Sequence, residues 1–177
     1  MPADIIHITG ASGAGTTTLA KTICDRFGHV HFDTDDFYWE PTDPPVTQKR
    51  AVDQCQRLLA EAIDSAEKCV ISGSLTEWGD VFVPRFGLII YVFAPAEIRL
   101  QRLQAREHRR FGKRILPGGD MFEAHQAFLQ WANQYDSGSV DMRSAAHHRA
   151  WLKRAPCPVV RVDGIAPAEE MFRELDF

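Results

Sequence analysis

The sequence predicts an α/β fold, a three-layer α/β/α arrangement around a central, mainly parallel, five-stranded sheet. Three observations predict it. Short apolar runs of strand length alternate with longer segments of helical spacing, and the first apolar run ends directly in glycines. The chain is also 177 residues long, one domain's worth at about 150 residues each. No internal repeat and no low-complexity linker interrupts it, so residues 1–177 are expected to form a single domain.

Asp4 to Thr9 is a continuous isoleucine-rich run of the kind expected for a strand buried on both faces. From Thr16 to Phe27, the spacing of Leu19, Ala20, Ile23, Cys24 and Phe27 is helical, and Gly28 is placed to stop the helix. A second strand fits His29 to Phe32. A long helix fits Thr47 to Lys68, with Val52, Cys55, Leu58, Leu59, Ala62 and Ile63 on one face. Between them, the turn-rich stretch Pro41 to Pro45 is read as a hinge or a substrate-site lip. Cys69 to Ile71 and Leu88 to Phe93 are two further buried strands. Helices are expected from Ala96 to about Arg110, opening after Pro95, from Phe122 to Tyr135 and from Met142 to Arg154. Pro158 to Val162 is the fifth strand, and Pro167 to Leu175 the closing helix.

Composition excludes several classes. Hydrophobic residues make up 45% and charged residues 25%, the balance of an ordinary globular chain and not of a disordered, collagenous or coiled-coil one. Twenty Lys and Arg against twenty-four Asp and Glu leave a net charge of −4, which argues against a nucleic-acid polymer as partner. The longest apolar run, Leu88 to Ala94, falls short of the ~20 residues of a membrane-spanning helix. Cys24, Cys55, Cys69 and Cys157 form no C-x-x-C pair and read as small hydrophobes of a reducing compartment. The N-terminal Met1-Pro2-Ala3-Asp4 carries an acid where a secretory signal carries bases, so a cytoplasmic protein is expected. Nothing in the sequence sets an oligomeric state.

The strongest motif is Gly10-Ala11-Ser12-Gly13-Ala14-Gly15-Thr16-Thr17-Thr18, which follows the first strand and opens the first helix. Phosphate binding needs glycines there, because the backbone must wrap closely around an anion and turn successive N–H groups inward. The helix N-terminus adds partial positive charge. Thr17 holds the hydroxyl position that ligates Mg²⁺ in the pattern G-x-x-x-x-G-K-[ST]. One residue departs from that pattern: Thr16 stands where the lysine that meets the β- and γ-phosphates belongs. A cation from elsewhere in the chain is therefore required for catalysis.

Together with the segments after it in the chain, this motif resembles the adenylate-kinase-like branch of P-loop nucleoside and small-molecule kinases, over essentially the whole length. Some cytidylate kinases of that branch also carry G-T-T-T in place of G-K-T-T, so Thr16 does not exclude a kinase. The resemblance implies a P-loop kinase fold with a short helical lid, approximately residues 106–140. It also implies ATP with Mg²⁺ as phosphoryl donor and a small molecule as acceptor.

Phe32-Asp33-Thr34-Asp35-Asp36-Phe37-Tyr38-Trp39 places three acids and an aromatic trio at a strand's carboxyl end, where ligands bind in open α/β sheets. Phosphoryl transfer to a hydroxyl needs one carboxylate to orient the alcohol and accept its proton, and a second to organise the metal's hydration. In an extended segment Asp33 and Asp35 point one way and Asp36 the other. The competing reading is an acidic turn in which Asp33 or Asp36 caps a helix. The segment resembles the F-D-x-D stretch of shikimate kinases, which implies that Asp35 holds the acceptor hydroxyl and Asp33 a metal-bound water. Asp36 is a further candidate for contact with the acceptor. Tyr38 and its aromatic neighbours are either acceptor-pocket lining or core.

After the third strand, Ser72-Gly73-Ser74 resembles the acceptor loop of shikimate and gluconate kinases, not the Asp-Gly-Phe-Pro-Arg stretch of adenylate kinases. That implies acceptor contacts from Gly73 and Ser74. Arg85, shortly after, is read either as a partner for an anionic acceptor group or as a surface residue.

Arg99, Arg102, Arg106, Arg109, Arg110, Lys113 and Arg114 concentrate seven basic residues in a sixteen-residue stretch. Spacings of three and four align Arg99, Arg102, Arg106 and Arg109 or Arg110 on one helical face. A solvated face, a nucleic-acid patch and a phosphate-closing lid compete as readings. The position after the fourth strand resembles the lid of adenylate-kinase-like enzymes, which implies that Arg102 and Arg106 contact the nucleotide. Arg106 and Arg110 would then assist transfer and supply the charge that Thr16 lacks. Arg143 resembles a further lid-side arginine. His108, His125, His147 and His148, with Asp120 and Glu123 nearby, lack a metal-binding spacing and read as surface histidines. Asp163-Gly164-Ile165-Ala166 resembles the loop that cups adenine, which implies backbone contacts from Gly164 and Ala166.

The expected function is transfer of the ATP γ-phosphoryl group to a small hydroxyl- or phosphate-bearing metabolite. A nucleoside monophosphate kinase is the nearest alternative. A nucleotide-binding regulatory protein without phosphotransfer, suggested by Thr16, is the alternative from another class.

Overall fold

The computed structural model describes residues 3–175; Met1 and Pro2, included in the reading of the N-terminus, and residues 176–177 of the expected domain lie outside the described residues. Five strands, β1 (Ile5–Gly10), β2 (Val30–Asp33), β3 (Cys69–Ser72), β4 (Leu88–Phe93) and β5 (Val159–Asp163), form one sheet in the order β2-β3-β1-β4-β5. Every neighbouring pair is parallel. The strand order reverses at β1: the chain passes to β2 and β3 on one side and then to β4 and β5 on the other. The crevice beyond the carboxyl end of β1 is therefore the topological switch point, where ligands bind in such sheets.

Among the described residues, seven α-helices complete the fold: α1 (Thr16–Phe27), α2 (Thr34–Tyr38), α3 (Val52–Ser65), α4 (Ala96–Phe111), α5 (Phe122–Asn133), α6 (Ala145–Leu152) and α7 (Ala168–Arg173). Strand alternation splits the core in two. Ile6, Ile8, Val70, Ile90 and Val92 meet Leu19 and Ile23 of α1 and Met171 of α7 on one face. On the other, Ile71 and Ile89 meet Cys55, Leu59 and Ile63 of α3, together with Phe82, Phe86 and the α6 residue Trp151. These are the three expected layers. No helix among the described residues is long and apolar enough to cross a membrane.

Four local expectations are corrected. The helix expected from Thr47 begins only at Val52, because residues 48–50 run back along 38–40. Glu40 N–H donates to Gln48 O at 2.9 Å, Arg50 N–H donates to Tyr38 O at 2.9 Å, and Trp39 bridges to Lys49. The helix expected from Met142 begins at Ala145, where the Ser144 hydroxyl accepts the His147 N–H at 3.0 Å and sets the N-cap. The acid cluster is not extended beyond Asp33: a helical turn, α2, starts at Thr34, so period-two alternation does not govern Asp35 and Asp36. Lastly, His125 and His148 are buried, and only His108 of the four histidines is exposed.

Candidate active site

The phosphate loop closes over the carboxyl end of β1. Gly15, the residue before α1, has φ 109°, a left-handed conformation that favours glycine, and no side chain caps the helix start. The first N–H groups of α1 are thereby left to an external anion. At Gly10 a Cβ would lie 2.4 Å from the Val92 carbonyl oxygen and 3.3 Å from Thr16 Cγ2. The side chain at position 16 therefore turns back over the start of the loop.

One carboxylate joins the loop to the start of α2. Asp33 Oδ2 accepts the Thr17 hydroxyl at 3.4 Å, while its Oδ1 accepts the Asp35 N–H at 3.1 Å and caps α2. The capping reading and the metal-side reading of Asp33 thus describe two oxygens of one residue. Asp35 follows on the first turn of α2. Protein atoms crowd its carboxyl although the residue as a whole is exposed, and this crowding, followed by the Asp33 charge, raises its pKa above the usual carboxylate range. Arg143 and Arg106 oppose the rise. Asp36 is exposed, and its backbone oxygen accepts Arg50 Nη1–H at 2.8 Å.

Thr34 ties the third strand's loop to this cluster. Its buried hydroxyl accepts the Ser74 N–H at 3.1 Å, and Gly73 passes over it. Gly73 and Ser74 consequently stand beside the α2 start that carries Asp35. Tyr38 lies against Trp39 and Trp78 with ring centroids 5.0 Å and 5.9 Å away and contributes to the second core, so it serves as packing and also reaches the surface.

The arginine ladder divides by role. Arg99 is buried and structural, donating to the Ala94 carbonyl at 2.9 Å and to Asp136 at 2.7 Å. Arg102 donates to Gly164 O at 2.6 Å, Ile165 O at 3.2 Å and Ala14 O at 3.4 Å, knitting the phosphate loop to the loop after β5. Gly164 is held there, with a Cβ excluded by the Ala14 oxygen at 2.4 Å, while Ala166 packs against the first core. Arg106 pairs with Glu107 at 2.9 Å and bears on Asp35. Arg110 is exposed and lies over Phe111 at 5.0 Å, and the charges acting on Asp35 do not include it. Arg85 stands apart from the site: it pairs with Asp64 at 2.5 Å and bears on Cys69, the first residue of β3, at the sheet's opposite edge.

Arg143 is the residue whose weight the sequence understates. It donates from Nη2 to Gly10 O at 3.3 Å, lies 5.6 Å from the Trp131 ring and bears on Asp35. No local pattern marks it, because these contacts join residues far apart in the chain.

Residues 6–149 match the sequence pattern of a family described as AAA domain. YqaC, an uncharacterised protein of Bacillus subtilis, is 38% identical over 173 residues, covering 97% of this chain and 96% of YqaC. The cytidylate kinase of Archaeoglobus fulgidus is 28% identical over 118 residues, 58% of this chain and 61% of that protein. A solved shikimate kinase from Acinetobacter baumannii, in complex with shikimate, matches with a TM-score of 0.56 at 16% identity, over 97% of this chain and 89% of that one. At that identity the likeness is one of fold.

Proposed function

The chain belongs to the AAA domain family and has the fold of P-loop small-molecule kinases, and on that premise we propose that it transfers the γ-phosphoryl group of ATP to a hydroxyl of a small metabolite. The observation that carries this reading is the continuous chain Thr17–Asp33–Asp35, running from the uncapped start of α1 to a carboxylate with raised pKa.

The residues present suit ATP and Mg²⁺. The left-handed Gly15 and the uncapped helix start form an anion cradle, and Thr17 with Asp33 supplies the hard oxygen donors that Mg²⁺ prefers. When bound, the metal neutralises charge on the phosphates. Gly13 and Gly15 turn backbone N–H groups toward the donor phosphates. Asp35 orients the acceptor hydroxyl and takes its proton as the acceptor oxygen bonds to the γ-phosphorus and the bond to ADP breaks. A carboxylate raised above its usual range is a better base for that step. Arg106 and Arg143 hold positive charge beside the transferring group.

A nucleoside monophosphate acceptor is the second reading, favoured by the similarity to a cytidylate kinase. The test is ADP release from the full chain against a panel of nucleosides, nucleotides, sugars and hydroxy acids. One acceptor class should stimulate release, and Asp35→Asn should cut that stimulation by at least about 100-fold while ATP affinity stays within a few fold. ATP binding with no stimulation anywhere in the panel would replace the kinase reading with the regulatory one.

A further inference from the structure

We propose that Arg143 takes the place of the lysine absent at position 16, delivering from a segment more than a hundred residues away the fixed positive charge that meets the ATP β- and γ-phosphates. The inference rests on the ATP-binding reading above and assigns a specific donor to it.

Position and charge coincide. A side chain at position 16 turns back toward Gly10, with Thr16 Cγ2 3.3 Å from where a Gly10 Cβ would stand. Threonine is too short and uncharged to offer a phosphate a cation. The Arg143 guanidinium donates to the carbonyl of that same Gly10 at 3.3 Å, so a cation already stands at the residue that position 16 turns toward.

The guanidinium also has capacity to spare. Its Nε–H is shielded from solvent and has no hydrogen-bond partner. A buried donor left unpaired is unusual and costly, and an anion at the loop would satisfy it. The neighbouring arginines are differently committed: Arg102 to three backbone carbonyls, Arg99 to Asp136 and two carbonyls, and Arg106 to Glu107. Burial draws Arg143 below the usual arginine range and Asp35 opposes this, but an arginine keeps its charge at neutral pH.

The segment that carries Arg143 is held against the loop it would serve. Ala145 packs with Tyr135 on Ala11, the second residue of the loop, and the Ala145 N–H donates to Tyr135 O at 2.9 Å. Tyr135 is itself fixed, its hydroxyl 2.7 Å from His148 Nδ1 and 3.0 Å from the Tyr91 hydroxyl. The cation is thus positioned before any nucleotide arrives, which is what electrostatic stabilisation requires.

Transplanting the charge tests the assignment. Binding of ATP and of ADP to the full chain is measured by calorimetry, without acceptor, for the wild type, Arg143→Met, Thr16→Lys and the double variant. Arg143→Met should weaken ATP by about 10- to 100-fold and ADP markedly less, as loss of a charge-assisted contact predicts. Adding Thr16→Lys to it should restore most of that loss. Thr16→Lys alone should bring no gain, since two cations would then compete for one place. An unchanged preference for ATP over ADP in Arg143→Met overturns the inference while leaving ATP binding intact, and so does a tenfold gain in ATP affinity in Thr16→Lys alone. If Arg143→Met does not fold, the Thr16→Lys single variant still decides the matter. A wild type that binds no ATP would instead overturn the kinase reading, and this inference with it.

Discussion

Thr34 and Gly73 show how little room the start of α2 leaves at the residue scale. Gly73 has φ 120°, and a Cβ there would stand 1.9 Å from the Thr34 hydroxyl oxygen. Gly73→Ala therefore meets both backbone strain and a buried neighbour. It should cost more than about 2 kcal/mol of stability, read as a lower urea midpoint at unchanged slope. Thr34→Val, which removes only the bond to Ser74 N–H, should cost about 1–3 kcal/mol by leaving that donor unpaired. Both contacts lie outside what local reading reaches, because Gly73 and Thr34 are distant in sequence. Asp33 and Asp35 were legible, since acids directly after a strand land at the sheet's carboxyl edge whatever the details. Their local geometry was not, because the α2 turn, set by one capping oxygen, replaces the alternation of a strand. Arg85 and Arg143 make the same point from opposite sides. Arg85, near the loop in sequence, is at the far edge of the sheet, while Arg143, remote in sequence, reaches Gly10.

At the scale of elements, the five strands and every α-helix but α2 were legible, and the bounds held where local signals coincide with tertiary need. The α1 span ends at Gly28, which takes φ 70° and returns its N–H to Cys24 O, the C-cap that glycine supplies. The α3 start slipped by five residues because pairing of 48–50 with 38–40 outweighs helix propensity. A contact across the loops was equally invisible beforehand. Arg114, in the 3-10 turn Gly112–Ile115, donates to Asp43 at 2.6 Å and to Asp120 at 2.7 Å, so the segment after α4 is clasped to the loop after α2. Exposed pairs of this kind contribute little to stability and weaken with salt. Asp43→Ala should accordingly change the unfolding free energy by less than about 1 kcal/mol. Its effect belongs to closure, seen as a rise in acceptor KM that shrinks in high salt, whereas an unchanged KM at low salt would show that the clasp does not govern access.

For the whole molecule, acid sensitivity follows from two buried histidines, His7 in β1 and His148 in α6. His7 donates from Nδ1 to Ile71 O at 3.1 Å and stacks on Phe86, and burial lowers its pKa to about 4. His148 bonds to Tyr135 through Nδ1, and burial, then the Arg143 charge, lowers its pKa to about 3. The second ring nitrogen of each has no partner, so protonation would bury an unpaired charge. An unfolded chain titrates its histidines near 6.5, so below that pH the unfolded state binds protons that the native state refuses. These two groups therefore lend stability that is complete above pH 6.5 and is lost as pH falls from there toward about 4 and then about 3. Each contributes a slope approaching about 1.4 kcal/mol per pH unit within its window. Urea unfolding at pH 7.5, 6 and 5 should show a loss in both intervals, about twice as steep per pH unit in the second as in the first. His7→Leu, which keeps an apolar side chain against Phe86 and Trp151, should flatten the second interval by about one proton's worth even though it lowers stability at pH 7.5. An undiminished slope in that variant would place the acid-sensitive group elsewhere. Arg143 links this behaviour to the phosphate loop, because the positive charge that helps hold His148 neutral is the one that stands at Gly10.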